Sequence, residues 1–524
     1  MKNNQPQSIF YVFYVSIIVA LGGFLMGFDA SVISGVVKFI EPEFNLTKIQ
    51  LGWAVASLSL TATFAMITAG PLSDRFGRKV ILKVAALLFF VSAIASAFAP
   101  SFLMLVMARM LGGLGVGAAL IIAPMYIAEI GPAKYRGRMV SLNQLNIVLG
   151  ISVAFFTNYL ILQAANSDSD WVQNFGFDQW NWRWMLGIEA IPALLYFICL
   201  SIVPESPRWL MMKGRVQEAS VILKRALGEQ NAEKEIQQIK NNISLAQNQT
   251  KGAFMDLLKP SMRLVMIVGI SIAILQQITG INAVFFYAPM IFEQTGLGTD
   301  ASFMQAILVG ITNVVFTLIA IALIDKIGRK SLLVAGVSGI IVCMFSLAYQ
   351  FNAATYTLTA QAISSLSTEI DIQALQPIIG ATFNSDLAFK SAITDLLSAT
   401  QVVQFESTLV SAAIQMNGTM ILVSILGFVA CFAVSLGPVM WVLFSELFPN
   451  RIRGIAISFV GLINSGVSFL VQLIFPWELA NLGATFTFAI YGGFAFIGLM
   501  IILKFLPETK GKTLEELETL LIKQ

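Results

Sequence analysis

The chain has 524 residues, of which 57% are hydrophobic and 12% are charged, and its net charge is +3. Because soluble domains carry about 25% charged residues, this composition excludes an ordinary soluble protein and indicates a chain that faces lipid. The sequence contains no histidine, which excludes serine–histidine catalysis and histidine-ligated zinc, and we expect no metal and no cofactor.

The first half of the chain contains six apolar runs that are each long enough to cross a bilayer. A transmembrane helix needs about 20 such residues. The first run is longer than the core of a signal peptide and lacks a small-residue cleavage site, so we expect it to be retained. The six predicted helices lie near 9–37, 51–73, 80–99, 101–128, 139–165 and 184–203.

A polar linker and six further apolar runs make up the rest of the chain. The linker covers 204–262, and apolar residues recur at helical spacing within 216–227. We therefore predict short amphipathic helices in the linker. The remaining predicted transmembrane helices lie near 263–292, 302–324, 331–349, 418–445, 455–475 and 482–506.

An insertion at 350–416 separates the ninth and tenth predicted helices. Its apolar stretches, such as 374–379 and 392–403, favour short helices that lie over the outer mouth of the protein. A disordered outer loop is the alternative, because apolar runs this short do not by themselves specify a fold.

The basic residues are distributed unequally between the two sides of this arrangement. Almost all of the 32 lysines and arginines fall in the loops of one side, together with the linker and both termini. The positive-inside rule makes this the cytoplasmic side, which for a bacterial protein faces inward from the inner membrane. We therefore expect no nucleic-acid partner. The exceptions are Lys38, Lys48, Arg183 and Lys390 in outer loops and Arg109 within the fourth helix.

Three short motifs occur in the same order in both halves of the chain, always on the predicted cytoplasmic side. Such internal repetition indicates a duplicated structural unit. We therefore predict an all-α membrane protein with two six-helix pseudo-repeats, 1–203 and 263–524, joined by the cytoplasmic helical linker 204–262. The repeated motifs are DRFGRK at 74–79 and DKIGRK at 325–330, Glu129 with Arg136-Gly137 and Glu446 with Arg453-Gly454, and PES at 204–206 and PET at 507–509.

With these motifs in register, the chain resembles the major facilitator superfamily, and within it the sugar porter family and its bacterial sugar–proton symporters. The resemblance extends from about residue 9 to residue 521 and is interrupted by the insertion 350–416. It implies the major facilitator fold, a monosaccharide bound between the two halves, alternating access and a functional monomer.

Three ionisable side chains within the predicted helices are candidates for proton coupling. A charge at the centre of a membrane helix costs roughly 2.5 to 3.5 kcal/mol, so it persists only with a partner or a function. Asp29 and Arg109 are expected to pair, and breaking the pair would change the proton affinity of the carboxylate. The resemblance implies the same role, whereas a static salt bridge is the alternative. Glu189 is a second intramembrane acid, with either a coupling role or a structural hydrogen bond.

The candidate sugar site consists of uncharged amides and one indole. An amide donates and accepts hydrogen bonds, which suits a ligand whose hydroxyl groups do both. Amides that join helices to each other are the alternative, although the resemblance favours sugar binding for most of them. Trp441 would stack on the apolar face of the sugar ring. The amides are Gln144, Gln276, Gln277, Asn282, Asn313 and Asn464.

Charged residues at the cytoplasmic helix ends are candidates for an inner gate, and two aromatic residues for an outer one. Ion pairs between the repeated motifs would hold the cytoplasmic ends together while the outer side is open. Simple topology signals are the alternative, because exposed pairs contribute only about 0 to 1 kcal/mol. The resemblance implies an outer gate at Phe286 and Tyr287. The inner-gate candidates are Arg78, Glu129, Arg136, Arg329, Glu446 and Arg453.

The predicted function is proton-coupled monosaccharide symport by alternating access. Ile151, Ser465 and Met26 depart from the family's sugar-site pattern, which leaves hexoses, pentoses and cyclic polyols open as substrates. A passive sugar facilitator and an inositol–proton symporter are the alternatives within transport. A sugar-sensing receptor would usually carry a long cytoplasmic tail. An enzyme is not expected, because the sequence shows no nucleophile–base pair.

Overall fold

The computed structural model of the protein describes residues 5–132, 135–167, 169–248, 254–364, 370, 372–449, 452–510 and 516. Twelve helical stretches among them are long and apolar enough to cross a membrane, which confirms the twelve predicted helices. The chain is therefore an integral, multi-pass membrane protein. In chain order, spans 1 to 12 are Phe10–Glu43, Lys48–Phe76, Arg78–Ala97, Phe102–Ile130, Met139–Ala165, Asn181–Ile202, Pro260–Glu293, Thr299–Ile324, Arg329–Asn352, Gly418–Leu447, Arg453–Asn481 and Gly483–Phe505.

The structure describes eight helices in the first part of the chain, and span 6 is broken into two of them. The break precedes Pro192, which has no N–H to donate to the carbonyl of Ile188 one turn earlier. Span 6 therefore consists of a short helix, a turn at Ile188 and Glu189, and a longer helix. The helices are α1 (Gln5–Glu43), α2 (Lys48–Phe76), α3 (Arg78–Ala97), α4 (Phe102–Ile130), α5 (Arg136–Ala165), α6 (Asp170–Phe175), α7 (Asn181–Gly187) and α8 (Ala190–Ile202).

The described residues of the linker contain three helices, and one of them coincides with the predicted stretch 216–227. A short 3-10 turn at Phe254–Leu258 then precedes span 7, which itself begins with a second 3-10 turn at Pro260–Met262. Trp209 and Leu223 belong to a small apolar cluster that packs the linker helices against each other. The linker helices are α9 (Pro207–Met212), α10 (Val216–Leu227) and α11 (Glu229–Asn248).

Span 7 has two points at which the helix departs from regular geometry. Gly280 has a φ of +87° and a Cβ there would overlap the ring of Tyr491, so glycine is required where the two helices of the span meet. Tyr287 is non-helical because Pro289 follows closely and cannot continue the ladder. Spans 7 to 9 comprise α12 (Arg263–Ile278), α13 (Ile281–Glu293), α14 (Thr299–Ile327) and α15 (Arg329–Asn352).

The insertion after span 9 is folded and contains a small sheet that the sequence analysis does not predict. Three antiparallel strands have the order β2-β1-β3. The predicted short helices are present, but a break at Leu397 and Ser398 divides the stretch 392–403 between two of them. The elements are β1 (Thr355–Thr357), α16 (Ala360–Ser364), α17 (Ile372–Leu375), a 3-10 turn (Gln376–Ile378), β2 (Thr382–Phe383), α18 (Asp386–Leu396), α19 (Ala399–Ala413) and β3 (Ile414–Gln415).

The last three spans follow the insertion directly, and the first of them is interrupted at Ser435. Asn417 caps the start of this span by accepting a hydrogen bond from the backbone N–H of Met420 at 3.2 Å. The helices are α20 (Gly418–Val434), α21 (Leu436–Leu447), α22 (Arg453–Asn481) and α23 (Gly483–Phe505).

The described residues fall into two compact units. The first contains residues within 1–30, 57–154 and 186–252, and the second contains the remainder, including the insertion. Helices α1, α2, α5 and α7 contribute to both units. The units therefore do not coincide with the predicted domains 1–203, 204–262 and 263–524, whose boundaries stay predictions. The first unit has a continuous apolar core that includes Phe89, Tyr126 and Tyr196, all fully buried.

Two glycines allow α1 and α5 to cross closely in the first unit. A Cβ at Gly27 would overlap the carbonyl oxygen of Ile147, and a Cβ at Gly150 would overlap that of Phe24. Each glycine therefore faces the backbone of the other helix, which is the geometry that small residues permit in membrane helices.

Replacing Gly27 with alanine should destabilise the protein, because the added methyl meets backbone that cannot rotate away. Overpacking of this kind costs about 1 to 3 kcal/mol. Thermal unfolding in detergent measures the effect. Gly70→Ala in α2 is the matched control, since no atom lies within 4 Å of the added Cβ there. Equal stability of the two variants would contradict the close crossing.

Candidate functional site

A buried ion pair joins span 1 to span 4 in the first unit. Arg109 on α4 donates from Nη1 to Oδ1 of Asp29 at 2.8 Å and from Nη2 to the backbone carbonyl of Asp29 at 3.2 Å. Both side chains are 2% exposed. The predicted contact is therefore present, and its coupling role stays a prediction.

Some buried polar atoms of the ion pair have no hydrogen-bond partner among the described residues. Oδ2 of Asp29 and Nε of Arg109 are buried without a hydrogen-bond partner among the described residues. Glu189 is also buried, its Oε1 has no partner there either, and it interacts electrostatically with both members of the pair. An unsatisfied buried polar group costs about 1 to 3 kcal/mol. The pair is therefore not a fully hydrogen-bonded salt bridge within the described residues.

A glycine keeps space beside the open carboxylate oxygen. A Cβ at Gly112 of α4 would lie 2.6 Å from both Oδ2 of Asp29 and Oγ of Ser92 on α3. Any larger residue would therefore press on the carboxylate. Glycine therefore allows the carboxylate to pack directly against the backbone of α4.

Four of the predicted amides form one hydrogen-bonded network in the second unit. Gln277 on α12 donates to Oδ1 of Asn464 on α22 at 3.2 Å and to Oε1 of Gln276 at 3.1 Å. Asn282 on α13 donates to Oε1 of Gln277 at 2.8 Å, and Asn464 donates to Oε1 of Gln276 at 2.7 Å. Amide side chains thus join spans 7 and 11. Such a set can exchange its internal hydrogen bonds for those of a hydroxyl-rich ligand.

The network continues through residues that the sequence analysis does not single out. Asn282 also donates to Oγ of Ser468 at 2.6 Å, and Gln472 donates to the same oxygen at 2.8 Å. The predicted gate residue Tyr287 donates its hydroxyl to the carbonyl of Gln472 at 2.8 Å. Both Tyr287 and Phe286 are buried on α13. The amides and the tyrosine therefore belong to one connected set.

The other three candidate sugar ligands lie outside these hydrogen bonds. Gln144 is half-buried on α5 of the first unit, and Asn313 is buried on α14. Trp441 on α21 keeps 39% of its surface exposed and contacts Phe444 edge to face. The roles of all three residues stay predictions.

The first copy of the repeated motifs forms a compact ion-pair cluster at the ends of spans 2 to 4. Arg78 donates from Nη2 to Oε1 of Glu129 at 3.1 Å and also pairs with Asp74 at 2.7 Å. Glu205 accepts from the backbone N–H groups of Arg78 and Lys79 at 3.0 and 3.2 Å, so it caps the start of α3. The side of the membrane that holds this cluster is called the motif side below.

The second copy repeats this geometry in the second unit. Arg329 pairs with Glu446 at 2.9 Å. Glu508 accepts from the backbone N–H groups of Arg329, Lys330 and Ser331 at 2.9, 3.1 and 3.4 Å and so caps α15. Thr509 donates to Glu446 at 2.7 Å, and in the first copy Ser206 donates to Glu129. The PES and PET motifs thus supply both a helix cap and a hydroxyl for the central glutamate, a role that their repetition alone does not reveal.

Of the two remaining inner-gate candidates, the structure describes the side chain of only one. Arg453 begins α22 and donates from Nε to the backbone carbonyl of Phe448 at 3.0 Å, while the ion pair of Glu446 is with Arg329. The side chain of Arg136 lies outside the described residues. The predicted reach of these two arginines to the glutamates therefore stays a prediction.

Acidification should weaken the cap at Glu508. Burial opposes ionisation of this carboxyl, but the N–H groups of Lys510, Arg329, Ser331 and Thr509 outweigh it and hold the pKa of Glu508 below its ordinary value. A lowered native pKa contributes stability that is present above the unfolded value of about 4.3 and disappears as the pH falls through the native value. Glu508→Gln should therefore lower the thermal midpoint at pH 7, and the difference from the unmodified protein should shrink below about pH 4. A difference independent of pH would contradict the cap.

Comparison with known proteins adds a family and several relatives. A family model described as "Sugar (and other) transporter" matches residues 15–368 and 390–521, so its interruption falls within the insertion. The arabinose-proton symporter of Bacillus subtilis is 34% identical over 99% of this chain and 97% of its own length. The D-xylose-proton symporter of Escherichia coli K12 is 35% identical with the same coverage. A glucose transport protein of Synechocystis is 34% identical over 98% of both chains.

Solved structures give the same result for the fold. The partially occluded inward-open structure of the xylose transporter XylE from E. coli matches with a TM-score of 0.73 and 32% identity, over 96% of this chain and 99% of its own. The structure of the proton:xylose symporter XylE bound to 6-bromo-6-deoxy-D-glucose matches with a TM-score of 0.68 and 34% identity, over 98% and 99% of the two chains. The major facilitator fold that the resemblance implies is therefore confirmed.

Proposed function

The chain belongs to the sugar transporter family, and from this premise we propose that it carries a monosaccharide together with a proton across a bacterial inner membrane. Its relatives are named for arabinose, xylose and glucose, so five- and six-carbon sugars are the proposed substrate class. The sugar leaves the protein chemically unchanged, and the protein acts as a monomer.

The observation that carries proton coupling is the half-satisfied Asp29–Arg109 pair. A buried carboxylate binds a proton more readily once its arginine has moved away. Oδ2 of Asp29 is buried and without a partner among the described residues, so it is the atom that we propose takes up the proton. Glu189, which interacts electrostatically with both residues, tunes this exchange. A coupling site of this kind needs no histidine.

The proposed sugar site is the amide network of spans 7 and 11. Gln276, Gln277, Asn282 and Asn464 are joined to each other and offer donors and acceptors to the sugar hydroxyls. Gln144 and Asn313 would add further amides and Trp441 an aromatic face for the ring. Phe286 and Tyr287, which follow the network along α13, would form the outer gate.

The motif side is proposed to face the cytoplasm, with both termini on that side. It carries nearly all of the basic residues, as the positive-inside rule requires. The Arg78–Glu129 and Arg329–Glu446 clusters, together with Arg136 and Arg453, would then hold the inner helix ends closed while the outer side is open. The insertion 350–416 would lie on the outer face.

Inward sugar–proton symport must acidify the interior of the vesicle that holds the transporter. Protein reconstituted in vesicles without a pH gradient should therefore move protons inward upon addition of xylose, arabinose or glucose, detected with a pH-sensitive dye. At 100 mV one proton supplies about 2.3 kcal/mol, which corresponds to about 40- to 50-fold accumulation of sugar. Sugar uptake without any proton movement would indicate a passive facilitator instead, and uptake of inositol alone would indicate a polyol transporter.

A further inference from the structure

The insertion forms a small folded body that the family model does not cover completely. Its three-stranded sheet packs on α18, where the rings of Tyr356 and Phe389 stack at 5.9 Å. An apolar cluster that includes Leu375, Ile393 and Leu409 is fully buried beneath it. Because the insertion has its own apolar core, it can hold the segments that it contacts in a fixed position.

Helix α19 of the insertion touches the outer end of span 7. Ser411 donates its hydroxyl to the backbone carbonyl of Glu293, the last residue of α13, at 2.7 Å. Three residues beyond Glu293, a Cβ at Gly296 would overlap the side chain of Ile414. The insertion therefore fixes the position of the Glu293 backbone.

The carboxylate of Glu293 is in turn bound by a lysine from span 1. Nζ of Lys38 lies 2.6 Å from Oε1 of Glu293 and also donates to Oγ1 of Thr299, where α14 begins. Glu293 is buried, whereas Lys38 is about one-third exposed. One side chain thus ties span 1 to the end of span 7 and the start of span 8.

A charged cavity of about 200 Å³ surrounds this contact and includes residues of the insertion. Lys48 pairs with Glu41 at 2.5 Å, and Lys390 lies 3.7 Å from Glu406. The three lysines and three glutamates that line the cavity balance in charge, and Asp386 lies 3.6 Å from Lys390 beside them. The arrangement suits a contact between protein segments. The charged lining residues are Lys38, Glu41, Lys48, Glu293, Lys390 and Glu406.

We propose that the Lys38–Glu293 pair, braced by Ser411 of the insertion, is an outer latch that must open before sugar binds from outside. Helix α13 has a glycine-dependent break at Gly280 and a kink at Tyr287, so its outer end can swing once the latch is released. The insertion thereby sets how often the outward-open state forms. This inference rests on the proposed alternating-access function and on the proposed orientation.

Opening the latch should change KM for external sugar and KM for internal sugar in opposite directions. The apparent dissociation constant equals the intrinsic one divided by the fraction of protein in the state that can bind the ligand, so it falls as that fraction rises. Lys38→Met, Glu293→Gln and, more weakly, Ser411→Ala should therefore lower KM for external sugar about 3- to 10-fold and raise KM for sugar leaving from the inside. The charge exchange Lys38→Glu with Glu293→Lys should restore both values towards those of the unmodified protein. Asp395→Asn, an exposed position of the same insertion, is the matched control and should change neither.

A labelling experiment separates the latch from the identity of the substrate. Met290→Cys places a thiol in the lining of the cavity, and an impermeant maleimide added outside should modify it several-fold faster when Lys38→Met is also present. This readout needs no sugar, so it reports on the latch even if the proposed substrate is wrong. Unchanged labelling, together with an unchanged ratio of the two KM values in folded Lys38→Met and Glu293→Gln proteins, would overturn the proposal.

Discussion

Asp29→Asn should abolish accumulation of sugar against a gradient while sugar exchange across the membrane continues. Asparagine keeps the size of the side chain and can still accept a hydrogen bond from Arg109, but it cannot take up a proton. The accumulation ratio in energised vesicles should fall from about 40-fold or more to about 1. Counterflow, in which internal sugar drives entry of labelled sugar, requires no proton and should remain within a few-fold of the unmodified rate.

The choice of asparagine matters because the partner arginine is buried. Removing either partner of a buried pair costs about 3 to 5 kcal/mol, and asparagine limits this cost because its side-chain carbonyl still accepts a hydrogen bond from Arg109, so the folding of the variant is measured together with its transport. The matched control is Asp300→Asn, a carboxylate at the start of α14 that accepts a hydrogen bond from Asn166 at 3.1 Å. Sugar accumulation that survives Asp29→Asn would place the coupling proton elsewhere, and Glu189→Gln would then be the next variant to examine.

Gln277→Leu should raise KM for the transported sugar about 10- to 100-fold with little change in the amount of folded protein. Gln277 is half-buried and stands at the centre of the amide network, with hydrogen bonds to Gln276, Asn282 and Asn464. Leucine removes the donors and acceptor that would engage the sugar, and an unmet hydrogen bond at such a site costs about 1 to 3 kcal/mol. Equilibrium binding and uptake kinetics both measure the loss.

The control for the network variant lies on the same helix as Asn464. Asn481→Ala removes an amide that donates to the carbonyl of Trp477 at the exposed end of α22. It should leave KM unchanged. If Gln277→Leu also leaves KM unchanged while the protein is folded, the amides would serve only to join spans 7 and 11, which is the alternative that their residue type permits.

Sequence reasoning predicts the features that the membrane enforces on this chain. Twelve spans follow from apolar length, because backbone polar groups must be satisfied within a helix in lipid. The contact between Asp29 and Arg109 follows because a charge inside a span requires a partner. Neither prediction depends on knowing how the helices pack.

Features that depend on contacts between distant residues are less accessible to sequence reasoning. The strands of the insertion contain two or three residues each, too few to show alternation, and β1 pairs with a segment about sixty residues later. Ser468 and Gln472 look like ordinary polar residues of a membrane helix until their hydrogen bonds are seen. Glu205 and Glu508 cap helices that begin far away from them in the sequence, so the motifs alone do not reveal these capping roles.

The pairing of β1 with β3 gives the insertion adjacent ends. Thr355 lies opposite Gln415 in the ladder, directly after span 9 and directly before span 10. Paired residues of antiparallel strands have Cα atoms roughly 5 Å apart, so the chain leaves the membrane bundle and returns to it at nearly the same point. Such a module can be gained or lost by a lineage, or exchanged for a short hairpin in the laboratory, without any requirement for spans 9 and 10 to move.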